Sequence, residues 1–258
     1  MTNSQSLAGK SAIVTGASRG LGAAIATELA KRGASILITY NSARDDAQKI
    51  AEKIQQLGNQ AVIVQAGSSD RETPSRVVKA AVENFGKIDI MVNNAGLATD
   101  CALQDITQEF WDEIYDVNVR LPTFLMQAAL PHLGPAPRIV NISSIAARAG
   151  YNSTSVYSSS KAALEGLTRA WAAELGQKYN ATVNCVNPGV IATKENWVDE
   201  VGDPGDVQYW EALIKGTPAA PRIGTTDDVA QIVAFLCEER SRWCTGSVVN
   251  ANGGLVPV

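Results

Sequence analysis

The apolar positions of this chain follow two periods in turn. Ser11-Ala12-Ile13-Val14 is a short apolar run ended by a glycine, and Leu21, Ile25 and Leu29 then recur every fourth residue up to a stop at Gly33. A brief continuous run fits a strand buried on both faces, and a four-residue recurrence fits one face of a helix. The alternation repeats. Ile36-Leu37-Ile38 predicts a second strand, followed by a helical stripe at Ala43, Ala47, Ile50, Ile54 and Leu57 that closes at Gly58. Ala61 to Val64 is a third strand, Val77 to Phe85 a helix ended by Gly86, and Ile88 to Val92 a fourth strand. Helices over Phe110 to Val119 and Thr123 to Leu130 precede a fifth strand at Arg138 to Ile142. A long helix carrying Tyr157 runs to about Tyr179, and Thr182 to Val186, Asp227 to Cys237 and Ser247 to Val249 follow as strand, helix and strand. Strands and helices alternating at these lengths predict an α/β fold, a doubly wound parallel sheet of about seven strands flanked by helices. Residues 190 to 224 break the rhythm, setting Trp197, Tyr209 and Trp210 among acids, prolines and glycines. A loop of that length in a compact chain reads as a lid over a site.

Composition narrows the chemistry. With 258 residues, 45% hydrophobic and 19% charged, the chain can bury the core of one large domain, placed here over 1–258. A net charge of −4 offers no basic field for nucleic acid or an anionic membrane, which leaves a soluble protein directed at a small molecule. Cys101, Cys185, Cys237 and Cys244 lie far apart, and His132, at a helix end, is the only histidine. Neither a metal site nor a disulfide framework is expected, and the thiols read as reduced in a cytoplasmic compartment. Met1 to Leu7 lacks a basic flank and an apolar core, and no apolar stretch approaches about 18 residues, so no targeting or spanning segment is expected.

Directly after the first strand comes Thr15-Gly16-Ala17-Ser18-Arg19-Gly20-Leu21-Gly22. Glycines there let the backbone turn tightly and approach a pyrophosphate, while the opening of a helix offers N–H groups and partial positive charge. An acid at the end of the second strand would hydrogen-bond a ribose 2′-hydroxyl, but the segment reads Thr39-Tyr40-Asn41-Ser42. With Arg19 in the turn and Arg44 just beyond, a 2′-phosphate meets donors and positive charge, which favours NADP(H). Tyr157 and Lys161 stand four residues apart and share a helical face. An ammonium roughly 4 Å from a phenolate stabilises it by about 4 kcal/mol at an effective dielectric of 20, enough to move a phenol's pKa by about three units.

These motifs, with Asn93-Asn94-Ala95-Gly96, Asn118, Ser144 and Pro188-Gly189, resemble the short-chain dehydrogenase/reductase superfamily in order and spacing over essentially the whole chain. The arginine-containing glycine turn is similar to that of NADPH-using carbonyl and β-ketoacyl reductases. The resemblance implies a Rossmann-type domain that reduces a ketone to a secondary alcohol by hydride transfer, with the pro-S hydride moving. Tyr157 would donate the proton, Lys161 would lower the tyrosine pKa and bind the nicotinamide ribose, and Ser144 would hold the substrate oxygen. Asn118 would kink or gap its helix and hold a water linking Lys161 to solvent, or else be a buried amide satisfying backbone. The cofactor would lie along Gly16, Ser18, Arg19, Gly20, Leu21 and Gly22 in the turn, then Tyr40, Asn41 and Ser42, and Ser68 after the third strand. It would continue past Asn94, Ala95 and Gly96 to Tyr157 and Lys161, and to Pro188, Gly189, Ile191 and Thr193 after the sixth strand. In one departure, Gly67-Ser68 stands where similar proteins usually carry an Asp-Val pair near the adenine.

Substrate contacts are expected from Ser144, Ile145, Ala146, Tyr151, Tyr157, Val190, Trp197 and Trp210, within the ranges 94–100, 145–154 and 190–224. The two tryptophans suit a bulky, hydrophobic or aromatic ketone, although packing beneath the lid or at a subunit contact would use the same rings. Glu195, Asp199, Glu200, Asp203, Asp206 and Glu211 against Lys194 and Lys215 disfavour a strongly anionic substrate such as an acyl-carrier-protein phosphopantetheine. Imine reduction, epimerisation or another cofactor-retaining step stays open as an alternative reaction, with β-ketoacyl reduction and a non-catalytic cofactor-binding scaffold behind it. By the same resemblance, paired long helices would assemble a homotetramer or homodimer.

Overall fold

The computed structural model describes residues 5–193, 208, 211–212 and 214–256. The chain opens with β1 (Ser11–Val14), α1 (Gly20–Lys31), β2 (Ser35–Tyr40), α2 (Arg44–Gln56), β3 (Ala61–Gln65), α3 (Thr73–Phe85) and β4 (Ile88–Asn93). It continues through α4 (Gln108–Tyr115), α5 (Leu121–Ala129), β5 (Leu133–Ile142), α6 (Ser155–Tyr179) and β6 (Thr182–Pro188). The short strands β7 (Ile191–Ala192) and β8 (Gly224–Thr225) precede α7 (Thr226–Cys237) and β9 (Val248–Ala251).

Seven strands form one parallel sheet in the order β3-β2-β1-β4-β5-β6-β9. The central strands are buried on both faces, which is why they read as unbroken apolar runs. Ile13 pairs in register with Leu37 on one side and Met91 on the other. Ile25, Leu29, Ile54 and Val233 pack α1, α2 and α7 onto one face of the sheet, and Val77, Leu125, Trp171 and Leu175 pack α3, α5 and α6 onto the other. Strand order reverses between β1 and β4, so a crevice opens beyond their carboxyl ends, the place where doubly wound sheets take their ligands.

Two details differ from the sequence pattern. The helices expected over 110–119 and 123–130 are one rod, in which a single π turn at Asp116–Arg120 joins α4 to α5. One extra residue in that turn re-aims Asn118 inward. The other difference lies at the base of the 190–224 segment. Ile191 and Ala192 pair in parallel with Gly224 and Thr225, and Gly224 N–H donates to Val190 O at 3.0 Å, so its two ends are held together. Thr225 then starts α7 through a reciprocal cap with Asp228.

Candidate active site

At the phosphate end the turn after β1 is fixed by backbone demands. Gly16 sits at φ +63°, where a side chain is strained, and a Cβ there would stand 3.0 Å from Ala95 Cα. A Cβ on Gly22 would stand 2.5 Å from both Asn94 Nδ2 and Gly16 O. Thr39 holds the turn from the side, accepting from Gly16 N–H at 3.0 Å through its hydroxyl and from Ala17 N–H at 3.0 Å through its carbonyl. Asn94 braces it from β4, donating its amide to Thr15 O at 2.9 Å and Gly16 O at 3.2 Å. Arg19 precedes α1 in extended backbone without capping it, which leaves the first N–H groups of the helix to a ligand.

A cavity of about 280 Å³ opens beside this turn, and Gly16, Ser18, Arg19, Tyr40, Asn41, Ser42, Ser68, Asn94, Ala95 and Gly96 all line it. Its wall carries no acid among the described residues, and Arg19 is its charged member. Arg44 opens α2 and does not line it. Gly67 stands in place of the acid of the Asp-Val pair, and Arg120, paired with Asp116, donates to the Ser68 carbonyl at 2.6 Å and anchors that loop. The space, the donors and the uncapped helix start fit a dinucleotide with a 2′-phosphate.

The sequence-predicted residues after β6 divide. Gly189 lines the second cavity described below, Pro188 ends β6 inside the sheet, and Ile191 packs on the core. Thr193 lies over the start of α1, with its Cβ 3.5 Å from where a Gly20 Cβ would be.

At the reaction end, α6 presents Tyr157 and Lys161 on successive turns. Lys161 is 4% exposed, its Nζ donates to Ile142 O at 2.9 Å and lies 5.8 Å from the centre of the Tyr157 ring. Burial pulls its pKa down to about 8. Tyr157 moves the opposite way from the expectation of an ammonium-depressed phenol. Burial pushes its pKa up, a hydrogen bond to Ser144 works against the rise, and the negative charge of Asp100 adds to it.

Asn118 is 1% exposed and its amide is fully engaged. Nδ2 donates to Leu97 O and to Ser160 Oγ, both at 3.0 Å, while Oδ1 accepts from Leu97 N–H at 2.8 Å. It braces the loop after β4 against α6. Gly96 closes the cluster, since a Cβ there would stand 3.1 Å from Lys161 Nζ and 3.4 Å from Asn118 Oδ1.

A second cavity, of about 580 Å³, meets Tyr157 and Ser144. Ile145, Ala146, Tyr151 and Val190 line it as expected, with Ala98, Asp100, Asn152 and Thr154 from the same sequence ranges. Trp197 and Trp210 lie outside the described residues. Pattern reasoning did not single out Thr39, Arg120 or Glu165 in the site's framework; for Glu165 the available signal was its place one turn beyond Lys161 on the stripe that packs against the sheet. Among the described residues no group of side chains could hold a metal, and no helix is long and apolar enough to cross a membrane.

A doubly wound sheet with a glycine turn at its switch point, and beyond it a half-buried tyrosine one turn from a buried lysine, is the arrangement of a dinucleotide-dependent oxidoreductase. Comparison with known proteins agrees. A family model described as enoyl-(acyl carrier protein) reductase matches residues 16–256. The short-chain dehydrogenase/reductase FrzI of a Cladobotryum species is 70% identical, covering 98% of this chain and 98% of its own. The hydroxynaphthalene reductase-like protein Arp2 of Metarhizium anisopliae is 37% identical, with 98% of this chain and 97% of that one aligned. A short-chain dehydrogenase from Burkholderia cenocepacia, solved in complex with NADP, superposes with a TM-score of 0.87 at 40% identity, covering 96% of this chain and 98% of that one. The chain belongs to the short-chain dehydrogenase/reductase superfamily.

Proposed function

We propose that the chain is an NADP(H)-dependent reductase, one domain over 1–258, that converts a bulky, hydrophobic or aromatic ketone to a secondary alcohol. The observation that carries this reading is Tyr157 beside Ser144 in the wall of a 580 Å³ cavity, with the Lys161 ammonium 5.8 Å from the centre of the phenol ring. When bound, the dinucleotide supplies hydride to the carbonyl carbon. Ser144 Oγ hydrogen-bonds the carbonyl oxygen and fixes its direction, and Tyr157 delivers the proton to that oxygen as charge develops on it. Lys161, anchored on Ile142 O, stabilises the phenolate that remains and offers its other N–H groups to the nicotinamide ribose. Asn118 keeps the Gly96-Leu97 loop clear of Lys161.

The cofactor choice is supported by Arg19, Asn41 and Ser42 in an acid-free wall and by the NADP in the Burkholderia neighbour. An aromatic substrate is supported by the name of the Metarhizium relative and by Tyr151 in the cavity. The acid-rich 190–224 segment argues against an acyl-carrier-protein thioester. Four cysteines stand as free thiols, with burial raising Cys185 and Cys237 to about 12, which suits the cytoplasm. Exposed Trp111 and Phe124 on the α4–α5 rod offer the apolar area for a homotetramer or homodimer, which light scattering of Phe124→Glu would test.

The deciding experiment is a fluorescence titration with NADPH and NADH, followed by NADPH oxidation against bulky aromatic, polycyclic and β-keto ketones. Turnover of some members with NADPH preferred supports the reading. Tight NADPH binding with no turnover of any ketone would redirect it to a different reaction at the same site.

A further inference from the structure

We infer that Glu165 is a positioning residue of this active site, joining α6 to the segments that carry Ser144 and the Pro188-Gly189 loop. The inference rests on the reductase reading above for its kinetic consequences and on geometry for its existence. Glu165 lies one turn beyond Lys161 and two beyond Tyr157 on the same helix, and is 2% exposed. A carboxylate at such depth persists only with partners, and each of its partners adjoins a different part of the site.

Oε2 accepts from Arg148 Nε at 2.6 Å, and Arg148 directly follows the Ile145–Ala147 turn of the substrate wall. Oε1 accepts from Asn187 Nδ2 at 2.8 Å, and Asn187 immediately precedes Pro188-Gly189. The hydroxyl of Ser143, the neighbour of Ser144, lies 3.5 Å from Oε1 and 3.2 Å from the carbonyl of Lys161 itself. One buried carboxylate therefore sets the ends of β5 and β6 relative to the helix that bears Tyr157 and Lys161. Cys185 on β6 feels the negative charge of Glu165, and burial together with that charge pushes the thiol up to about 12.

The partners also say how a substitution behaves. Asn187 Oδ1 is buried with no hydrogen-bond partner, so an Asn187 amide turned over could accept from a glutamine at 165 while Arg148 still donates to the glutamine oxygen. Glu165→Gln can thus keep all the links, whereas Glu165→Ala cuts them.

The test compares Glu165→Ala, Glu165→Gln and Arg148→Met by NADPH titration, by the emission of bound NADPH, and by kcat and KM on a ketone that wild type reduces. Expected for Glu165→Ala is a kcat roughly 100-fold lower, altered emission of the bound nicotinamide, and an NADPH affinity within about threefold of wild type, because the phosphate end is untouched. Glu165→Gln should recover kcat to within about fivefold. Arg148→Met cuts the Oε2 link alone, so kcat should fall about tenfold and the bound-nicotinamide emission should change, with NADPH affinity within about threefold of wild type. A Glu165→Ala protein with kcat within threefold of wild type and unchanged emission overturns the inference. So does a parallel loss of kcat and NADPH affinity that Glu165→Gln does not rescue. Should Glu165→Ala fail to fold, kcat and bound-NADPH emission of Arg148→Met decide. Should wild type reduce no ketone, the reductase reading fails, and bound-NADPH emission of the variants still decides the role of Glu165.

Discussion

The two ends of the crevice hold their shape by different means. At the phosphate end the constraint is on the backbone, with Gly16 at positive φ, Gly22 against Asn94 and Gly16 O, and hydrogen bonds from Thr39 and Asn94 fixing main-chain atoms. Its one charged wall residue, Arg19, is exposed. The reaction end is assembled from buried polar side chains, with Asn118, Lys161 and Glu165 at 1%, 4% and 2% exposure. A backbone cradle tolerates almost any surface around it but no added Cβ, whereas a buried polar cluster tolerates shape-preserving changes but no unpaired charge. Binding and chemistry should therefore fail separately under mutation.

The sharpest break between the ends is Tyr157→Phe. Loss of the proton donor should lower kcat roughly 10³-fold in an NADPH-oxidation assay, with NADPH titrating as in wild type. A variant that keeps more than a tenth of wild-type kcat would remove Tyr157 from the reaction. Next comes the pH dependence of stability. Lys161 has a folded pKa of about 8, below the roughly 10.4 of an unfolded lysine, so between those values the unfolded chain binds the extra proton and stability rises with pH. Urea midpoints should show wild type gaining up to about 3 kcal/mol on Lys161→Met across that window. Equal slopes for the two proteins would mean that the lysine is not desolvated as described.

Gly22→Ala attacks the cradle instead. Its Cβ must displace Asn94 or the Gly16 carbonyl, at a cost of about 1–3 kcal/mol in denaturation and at least roughly tenfold in NADPH affinity. Arg19→Ala should weaken NADPH about tenfold, leave NADH nearly unchanged and flatten the salt dependence of NADPH binding. Equal losses for both dinucleotides would assign Arg19 to the shared pyrophosphate rather than the 2′-phosphate.

How much of this was legible in the sequence follows the same division. Buried parallel strands declare themselves as apolar runs, and the order of all seven sheet strands and their helices was readable. The phosphate turn was readable too, because a backbone demand is written as glycine at fixed spacing. The π turn at Asp116–Arg120 leaves almost no mark on the helical apolar stripe and was legible only through the resemblance, as a kink or gap at Asn118. The upward direction of the Tyr157 shift was not legible, because spacing places Lys161 near the phenol but does not report how far the hydroxyl is withdrawn from water. Glu165 escaped notice for a related reason. A glutamate on a helix reads as solvated, and its partners Arg148, Ser143 and Asn187 come from three other stretches of chain.

The pairing of Ile191–Ala192 with Gly224–Thr225 has a consequence for how such a protein diversifies. Because the ends of the intervening segment are fastened side by side, its length and composition can vary with only a logarithmic entropic penalty and without displacing the sheet or α6. The segment is thus a cassette. Its sequence can change while the sheet, the glycine turn and α6 keep their places.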